Sequence, residues 1–164
     1  MRNPNELVPP AAPQEEARLQ QLLQRWADGK ATLKEVRGYA DEELYAVAKT
    51  AYFFFLQGRI AEARTLFQGL YSVNPVDPYF ARALGVIELA AGNAPGALQA
   101  YDVAIKLQPQ DPGVYVGRAE VKLLMGQKTQ AAEDLKKATT LGQPQDPNRL
   151  KAAAMLSSLR LPTR

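Results

Sequence analysis

The chain has 164 residues with 20 basic and 17 acidic side chains, a net charge of +3, and 46% hydrophobic residues. This length and apolar content are sufficient for one folded domain with a core. There is no cysteine, which excludes disulfides and thiol catalysis, and no histidine, the commonest general base and transition-metal ligand. We therefore expect a protein that is not an enzyme and that uses no cofactor and no metal ion.

The positive charge is concentrated at the C-terminal end. From residue 147 onward there are four basic residues and no acid, so the rest of the chain, with 16 basic and 17 acidic groups, has a net charge of −1. A short basic tail is more typical of a solvated helix end than of a phosphate-binding surface, and we expect no nucleic-acid partner. The four basic residues are Arg149, Lys151, Arg160 and Arg164.

The apolar segments are too short for a membrane span, which needs roughly 18–20 consecutive apolar residues. Residues 1–13 contain four prolines and no periodic pattern, which predicts a flexible leader. This polar start has no apolar stretch of the kind found in secretory signals. We expect a cytoplasmic protein without direct membrane insertion.

Residues 14–40 predict an N-terminal helical segment. Apolar residues recur at helical spacing from 14 to 27, and Gly29 ends that helix. A short turn or helix is predicted around residues 32–36.

The rest of the chain, residues 41–164, contains a repeat. Gly58, Gly92 and Gly126 stand 34 residues apart, and an alanine follows each of them five residues later. A fixed 34-residue period with small residues at set positions is typical of stacked helical hairpins of the tetratricopeptide (TPR) type. The pattern predicts an all-α, right-handed helical solenoid with three repeats at about 44–77, 78–111 and 112–145. The predicted helices are 41–57, 60–72, 78–91, 94–107, 112–125 and 129–141, followed by a capping helix at 147–160.

The sequence Pro-x-Asp-Pro separates the hairpins, at residues 75–78, 109–112 and 144–147. The first proline ends the preceding helix, the aspartate caps the next helix, and the second proline occupies its first position. The third junction comes at a spacing of 35, which predicts a one-residue insertion near residues 141–142.

Most residues that keep the period are interpreted as packing residues without direct function. Small residues are expected where two helices pass closely, and larger ones fill the gap one turn later. The adjacent acids Glu133 and Asp134 are expected to be solvated. The interpreted packing residues are Ala51, Gly85, Ala119, Ala63, Ala97, Ala131, Phe67, Tyr101 and Leu135.

The unusual residues are aromatic. Tyr52, Phe53, Phe54 and Phe55 form a run on the first repeat helix, and because successive helical residues turn by about 100°, the four rings cannot all face one core. We expect some of them to line a concave, mostly apolar groove for an extended peptide or a partner helix, since clustered exposed aromatics mark binding sites. Alternatively, the N-terminal helix covers these rings. The predicted groove residues are Tyr45, Ala48, Tyr52, Phe55, Tyr79, Arg82, Val86, Leu89, Val116 and Glu120.

Residues 29–110 resemble the class II chaperones of bacterial type III secretion, which hold translocator proteins in the cytoplasm before export. The resemblance lies in Gly29 with Thr32-Leu33, Leu44-Tyr45, Ala48, Gly58-Arg59, Glu62-Ala63, Phe67, Leu70, Pro75, Asp77 and Leu84-Gly85. The third hairpin, residues 114–141, departs from that pattern and fits a generic TPR better.

The resemblance implies a function for the groove. It implies that a short proline- and leucine-containing segment of a hydrophobic translocator binds there, with Tyr45 and Phe55 at positions where the family uses aromatic residues. It also implies that the N-terminal helix is a candidate homodimer interface. On this helix the apolar residues are Leu19, Leu22, Leu23 and Trp26.

TPR domains also serve two other functions. A scaffold or adaptor in the assembly of a bacterial secretion or pilus complex is the alternative function. Co-chaperones that grip the acidic C-terminus of heat-shock proteins use a clamp of Lys, Asn and Arg. That reading is rejected because the corresponding positions here hold Ala48, Tyr52, Ala83, Gly113 and Gly117.

Overall fold

The computed structural model describes residues 13–159, which divide into two units, one ending at Ala40 and one beginning at Asp41. The predicted leader, residues 1–13, lies almost entirely outside the described residues. In the described part all regular structure is helical. In chain order the helices are α1 (Pro13–Ala27), α2 (Leu33–Arg37), α3 (Asp41–Leu56), α4 (Ile60–Val73), α5 (Pro78–Ala90), α6 (Ala94–Leu107), α7 (Pro112–Leu124), α8 (Lys128–Thr139) and α9 (Pro147–Ser158).

The first unit contains α1 and α2, as the apolar spacing predicts. A capping box begins α2: the Thr32 hydroxyl accepts a hydrogen bond from the Glu35 backbone N–H, and the Glu35 carboxylate accepts one from the Thr32 backbone N–H at 2.7 Å. The Thr32 backbone N–H and, second, the Thr32 hydroxyl, which donates to the same carboxylate at 3.1 Å, hold the pKa of Glu35 below its usual value. On α1, Leu19, Leu23 and Trp26 are exposed and Leu22 is partly buried.

The second unit contains three hairpins, α3–α4, α5–α6 and α7–α8, and the closing helix α9. Each hairpin turn contains a glycine with positive φ, between +75° and +77°, which explains why Gly58, Gly92 and Gly126 keep the 34-residue period. Helix α9 packs on α7 and α8, where Ala152 is fully buried and Met155 lies against the core. It therefore closes the end of the array, as expected for a capping helix.

The junction aspartates cap helices as predicted. The side chains of Asp77, Asp111 and Asp146 accept hydrogen bonds from backbone N–H groups at the starts of α5, α7 and α9, each with proline in the first turn. The residues interpreted as packing residues are buried. Ala51, Ala63, Ala97, Ala119, Ala131 and Leu135 are 0% exposed, Phe67 is 1% exposed, and Tyr101 is 3% exposed.

Candidate functional site

An apolar cleft of about 230 Å³ lies between α3 and α5 in the second unit. Tyr52 and Phe55 of α3 form one wall, and Tyr79 and Val86 of α5 form the other. Phe67 and Ile87, which belong to the buried core that the first hairpin shares with α5, also line it. The full lining is Tyr52, Phe55, Phe67, Tyr79, Arg82, Ala83, Val86 and Ile87.

The helical turn sorts the aromatic run into different environments. Tyr52 is 51% exposed and stacks on Phe55, with ring centroids 6.4 Å apart. Phe54 packs on the core, and the Arg59 guanidinium lies 4.0 Å from its ring centroid. Phe53 is 58% exposed and does not line the cleft. Of the four rings in this run, Tyr52 and Phe55 are therefore the two that line the cleft.

Tyr45 lies on α3, N-terminal to Tyr52, and its side chain contacts residues of the fold rather than the cleft. Its hydroxyl donates a hydrogen bond to Asp77 Oδ2 at 2.9 Å, and its ring lies 5.7 Å from the Tyr79 ring and 5.5 Å from the Phe80 ring. Burial and the bond to Asp77 raise the pKa of Tyr45 to about 12, so the phenol stays protonated. Since Asp77 also caps α5, the loss of Tyr45 would disturb the junction as well as the groove.

The concave face becomes polar further along the array. Arg82 on α5 pairs with Asp111 at 2.9 Å, and Glu120 on α7 pairs with Lys151 on α9 at 2.6 Å. These pairs connect successive repeats across the face. They are at least partly exposed and contribute little to stability, at most about 1 kcal/mol each.

The groove prediction is wrong for two of its residues. Ala48 and Val116 are 1% and 2% exposed, respectively, because their positions face the adjacent helices of the core, and neither can be contacted from the groove. Leu89 is partly buried against the core cluster of the second and third hairpins. The structure adds Phe67, which the sequence pattern assigns to packing, and Ala83 and Ile87, which were not among the predicted groove residues.

The expectation that Asp134 is solvated is also wrong. Asp134 is 5% exposed and accepts hydrogen bonds from Arg118 at 2.6 and 2.9 Å and from Lys122 at 2.7 Å. Arg118 also pairs with Asp102. The bonds from Arg118 to Asp134 raise the pKa of the guanidinium above its already high value, and burial opposes this only in part.

A second buried ion pair lies one hairpin earlier. Glu88 is 4% exposed and is bonded by Arg64, Gln68 and Asn93 at 2.7–3.1 Å. Glu88 and Lys122 stand 34 residues apart, so both charges occupy one position of the repeat. The recurrence of a charged residue at this position in two repeats is the sequence feature from which a buried charge could have been predicted.

No helix in the part of the chain that the structure describes is long and apolar enough to cross a membrane. Between residues 13 and 159 no cluster of three or more acidic groups has an arrangement that could hold a metal ion.

The comparison with known families matches residues 54–112 to the model described as Tetratricopeptide repeat. These residues include the turn at Gly58, the whole second hairpin and the aspartate cap of α7. The chain has a tetratricopeptide-repeat fold. A curated relative, Tetratricopeptide repeat protein 36 of Danio rerio, is 40% identical over 57 residues, which is 35% of this chain and 30% of that protein. The chain thus matches less than a third of that relative's length.

Solved structures with this TPR fold include translocator chaperones. SycD of Yersinia enterocolitica aligns with a TM-score of 0.74 and 21% identity over 79% of this chain and 98% of that chain. A type III secretion complex from Aeromonas hydrophila aligns at 0.72 and 23% over 89% and 94%. PcrH bound to the chaperone-binding region of PopD aligns at 0.70 and 22% over 74% and 93%. At these identities the likeness establishes the shared fold.

Proposed function

We propose that this protein is a non-enzymatic, cytoplasmic secretion chaperone that binds a hydrophobic, translocator-like partner. A short extended segment of the partner would lie in the concave TPR groove, which would keep the partner from aggregating before export. The observation that carries this proposal is the aromatic cleft between α3 and α5, with Tyr52 and Phe55 on one wall and Tyr79 and Val86 on the other.

The size and chemistry of the cleft suit spaced apolar anchors. Its volume of about 230 Å³ accommodates one or two branched aliphatic side chains rather than a folded surface. Burying one such anchor contributes roughly 1.5–3 kcal/mol. Two or three anchors along the groove, less the cost of ordering the segment, correspond to roughly micromolar binding, which is compatible with later release.

The structural relatives support this assignment by analogy. PcrH is solved with the chaperone-binding regions of PopD and PopB, and SycD with a peptide of the translocator YopD. PopD, PopB and YopD are partners of PcrH and SycD. We propose a partner of the same chemistry here, a secreted protein with hydrophobic segments.

Co-expression with a translocator-like protein from the same genome tests the function. The chain should keep that protein soluble, and mild proteolysis of the complex should leave a short protected peptide on the TPR unit. A protected folded domain would favour the alternative, a TPR scaffold or adaptor in assembly of a secretion or pilus complex. Equal aggregation with and without the chain would contradict the chaperone assignment.

We also propose that the apolar residues of α1 pair with a second copy of the chain. Leu19, Leu23 and Trp26 are 46%, 42% and 50% exposed, which leaves an apolar stripe for a partner helix. A dimer of SycD is among the solved relatives. Leu23→Glu should convert a concentration-dependent dimer into a monomer in light-scattering measurements, with the exposed Gln21→Glu as control. A monomer at all concentrations for the native chain would refute the pairing.

A further inference from the structure

Tyr101 of α6 has a buried ring but a hydroxyl group at the concave face. The side chain is 3% exposed and passes between Gly85 on α5 and Gly117 on α7. A Cβ atom at Gly85 would lie 3.0 Å from the ring, and one at Gly117 would lie 2.5 Å from the hydroxyl oxygen. The two glycines therefore allow the ring to extend through the layer formed by α5 and α7.

The Tyr101 hydroxyl has no hydrogen-bond partner among residues 13–159. In that part of the chain, every side-chain nitrogen or oxygen atom that is fully buried has a hydrogen-bond partner. The hydroxyl oxygen must therefore reach the surface even though its ring is enclosed. A polar atom of this kind is exceptional, because buried tyrosines usually satisfy their hydroxyl within the protein.

The groups around the hydroxyl are the charged residues of the concave face. Arg82 and Glu120 act on Tyr101 electrostatically, but Arg82 is bonded to Asp111 and Glu120 to Lys151. Burial, with a smaller contribution from Glu120, raises the pKa of Tyr101 to about 12. The phenol is thus a protonated donor at neutral pH.

The glycines of α7 near Tyr101 leave room for side chains of neighbouring helices. Gly113 and Gly117 lie one turn apart on α7, and a Cβ at Gly113 would lie 3.2 Å from Arg82 and 3.1 Å from Asn148 of α9. The space beside Gly113 is thus filled by the side chains of Arg82 and Asn148, and the space beside Gly117 by Tyr101. A ligand at this point of the groove would therefore contact the Tyr101 hydroxyl rather than the α7 backbone.

We propose that the Tyr101 hydroxyl donates a hydrogen bond to a backbone carbonyl of the bound peptide, which fixes the register of the peptide relative to the α3–α5 cleft. This inference rests on the proposed function, since it assumes a peptide in the groove. It also selects the conformation of the ligand. The carbonyls within a helix are already bonded, whereas an extended segment has free ones.

Removal of the hydroxyl alone tests the proposal. The probe is a fluorescein-labelled peptide selected from a random peptide library on the immobilised full-length protein. Tyr101→Phe should weaken its binding by about 2- to 10-fold, the value of one neutral hydrogen bond. The thermal unfolding midpoint should not change, because no bond within the described residues is lost.

Tyr115→Phe is the matched control. The Tyr115 hydroxyl donates to the Pro109 carbonyl at 3.2 Å, so its loss should lower stability and leave peptide affinity unchanged. The bond itself is tested with peptide analogues in which one backbone amide at a time is replaced by an ester, which weakens the carbonyl as an acceptor. One ester should lower affinity for the native protein and have no effect on Tyr101→Phe.

The two proposals fail in different ways. If the selected peptides bind Tyr52→Ala/Phe55→Ala as well as the native protein, the proposed groove function is wrong. If binding needs Tyr52 and Phe55 but Tyr101→Phe binds with native affinity and no ester shows coupling, only the Tyr101 contact is wrong.

Discussion

The two halves of the concave face have the same backbone but opposite chemistry. One repeat position holds Tyr52, Val86 and Glu120 in successive hairpins, and another holds Tyr45, Tyr79 and Gly113. The face therefore changes from large aromatic side chains at α3 and α5 to charged and missing side chains at α7. The period thus specifies the scaffold, and we propose that the residues that break the period select the ligand.

The interiors of the hairpins differ in the same direction. The first hairpin packs against α5 through an apolar cluster around Leu44, Phe67 and Phe80, whereas the third hairpin contains the buried Asp134 with Arg118 and Lys122. Breaking a polar interior should therefore affect stability, and changing the aromatic cleft should affect binding. Each prediction below separates these two effects.

The largest effect is expected at the buried ion pair of the third hairpin. Asp134→Asn should lower the free energy of unfolding by about 2–4 kcal/mol, because it leaves Arg118 and Lys122 without their shared carboxylate. Denaturant titration measures this, with the exposed neighbour Glu133→Gln as control. Peptide affinity below the unfolding transition should stay native. A loss of affinity without loss of stability would contradict the division between the two halves.

A smaller effect is expected at Glu88 in the second hairpin. Burial raises the pKa of Glu88, but the hydrogen bonds from Arg64 and Asn93 lower it by a larger amount. The net pKa is therefore below its usual value of 4.5. A lowered folded-state pKa adds stability above pH ~4.5, which is lost as the pH falls through that folded pKa. Glu88→Gln should thus cost about 1–3 kcal/mol at neutral pH, and this difference should shrink as the pH falls below the usual carboxyl pKa and through the lowered folded-state pKa.

The control for Glu88 is Glu62→Gln. Glu62 forms an exposed pair with Arg59 at 2.9 Å, so its replacement should change stability by less than about 0.5 kcal/mol. A difference between native protein and Glu88→Gln that persists unchanged at acid pH would show that the ionised carboxylate is not responsible.

The scaffold could be predicted from the sequence because its determinants are local and periodic. The glycines at the turns and the Pro-x-Asp-Pro junctions each specify a backbone conformation at a known position, and the helix bounds differ from the predicted ones by at most two residues. The burial of Phe67 and Tyr101 follows from the same repeat.

The site could be predicted only in part because it depends on side-chain direction. The helical turn separates Tyr52 and Phe55 from Phe53, but it does not show that Ala48 and Val116 face neighbouring helices rather than the groove. The buried Asp134 pairs with residues 12 and 16 positions earlier, across two helices, and that pairing has no counterpart in the other repeats. The sequence pattern assigns Tyr101 to packing, because the accessibility of its hydroxyl depends on the absence of side chains at Gly85 and Gly117.

The most direct test of the central claim is a titration of the selected peptide against two variants of the aromatic run. Tyr52→Ala/Phe55→Ala removes one wall of the cleft and should weaken binding by at least ~100-fold, equivalent to the loss of about 3 kcal/mol of apolar contact. Phe53→Ala removes a more exposed ring outside the cleft and should change affinity less than about 2-fold. Equal losses for both variants, or native affinity for the double variant, would contradict the assignment of the cleft as the peptide-binding site.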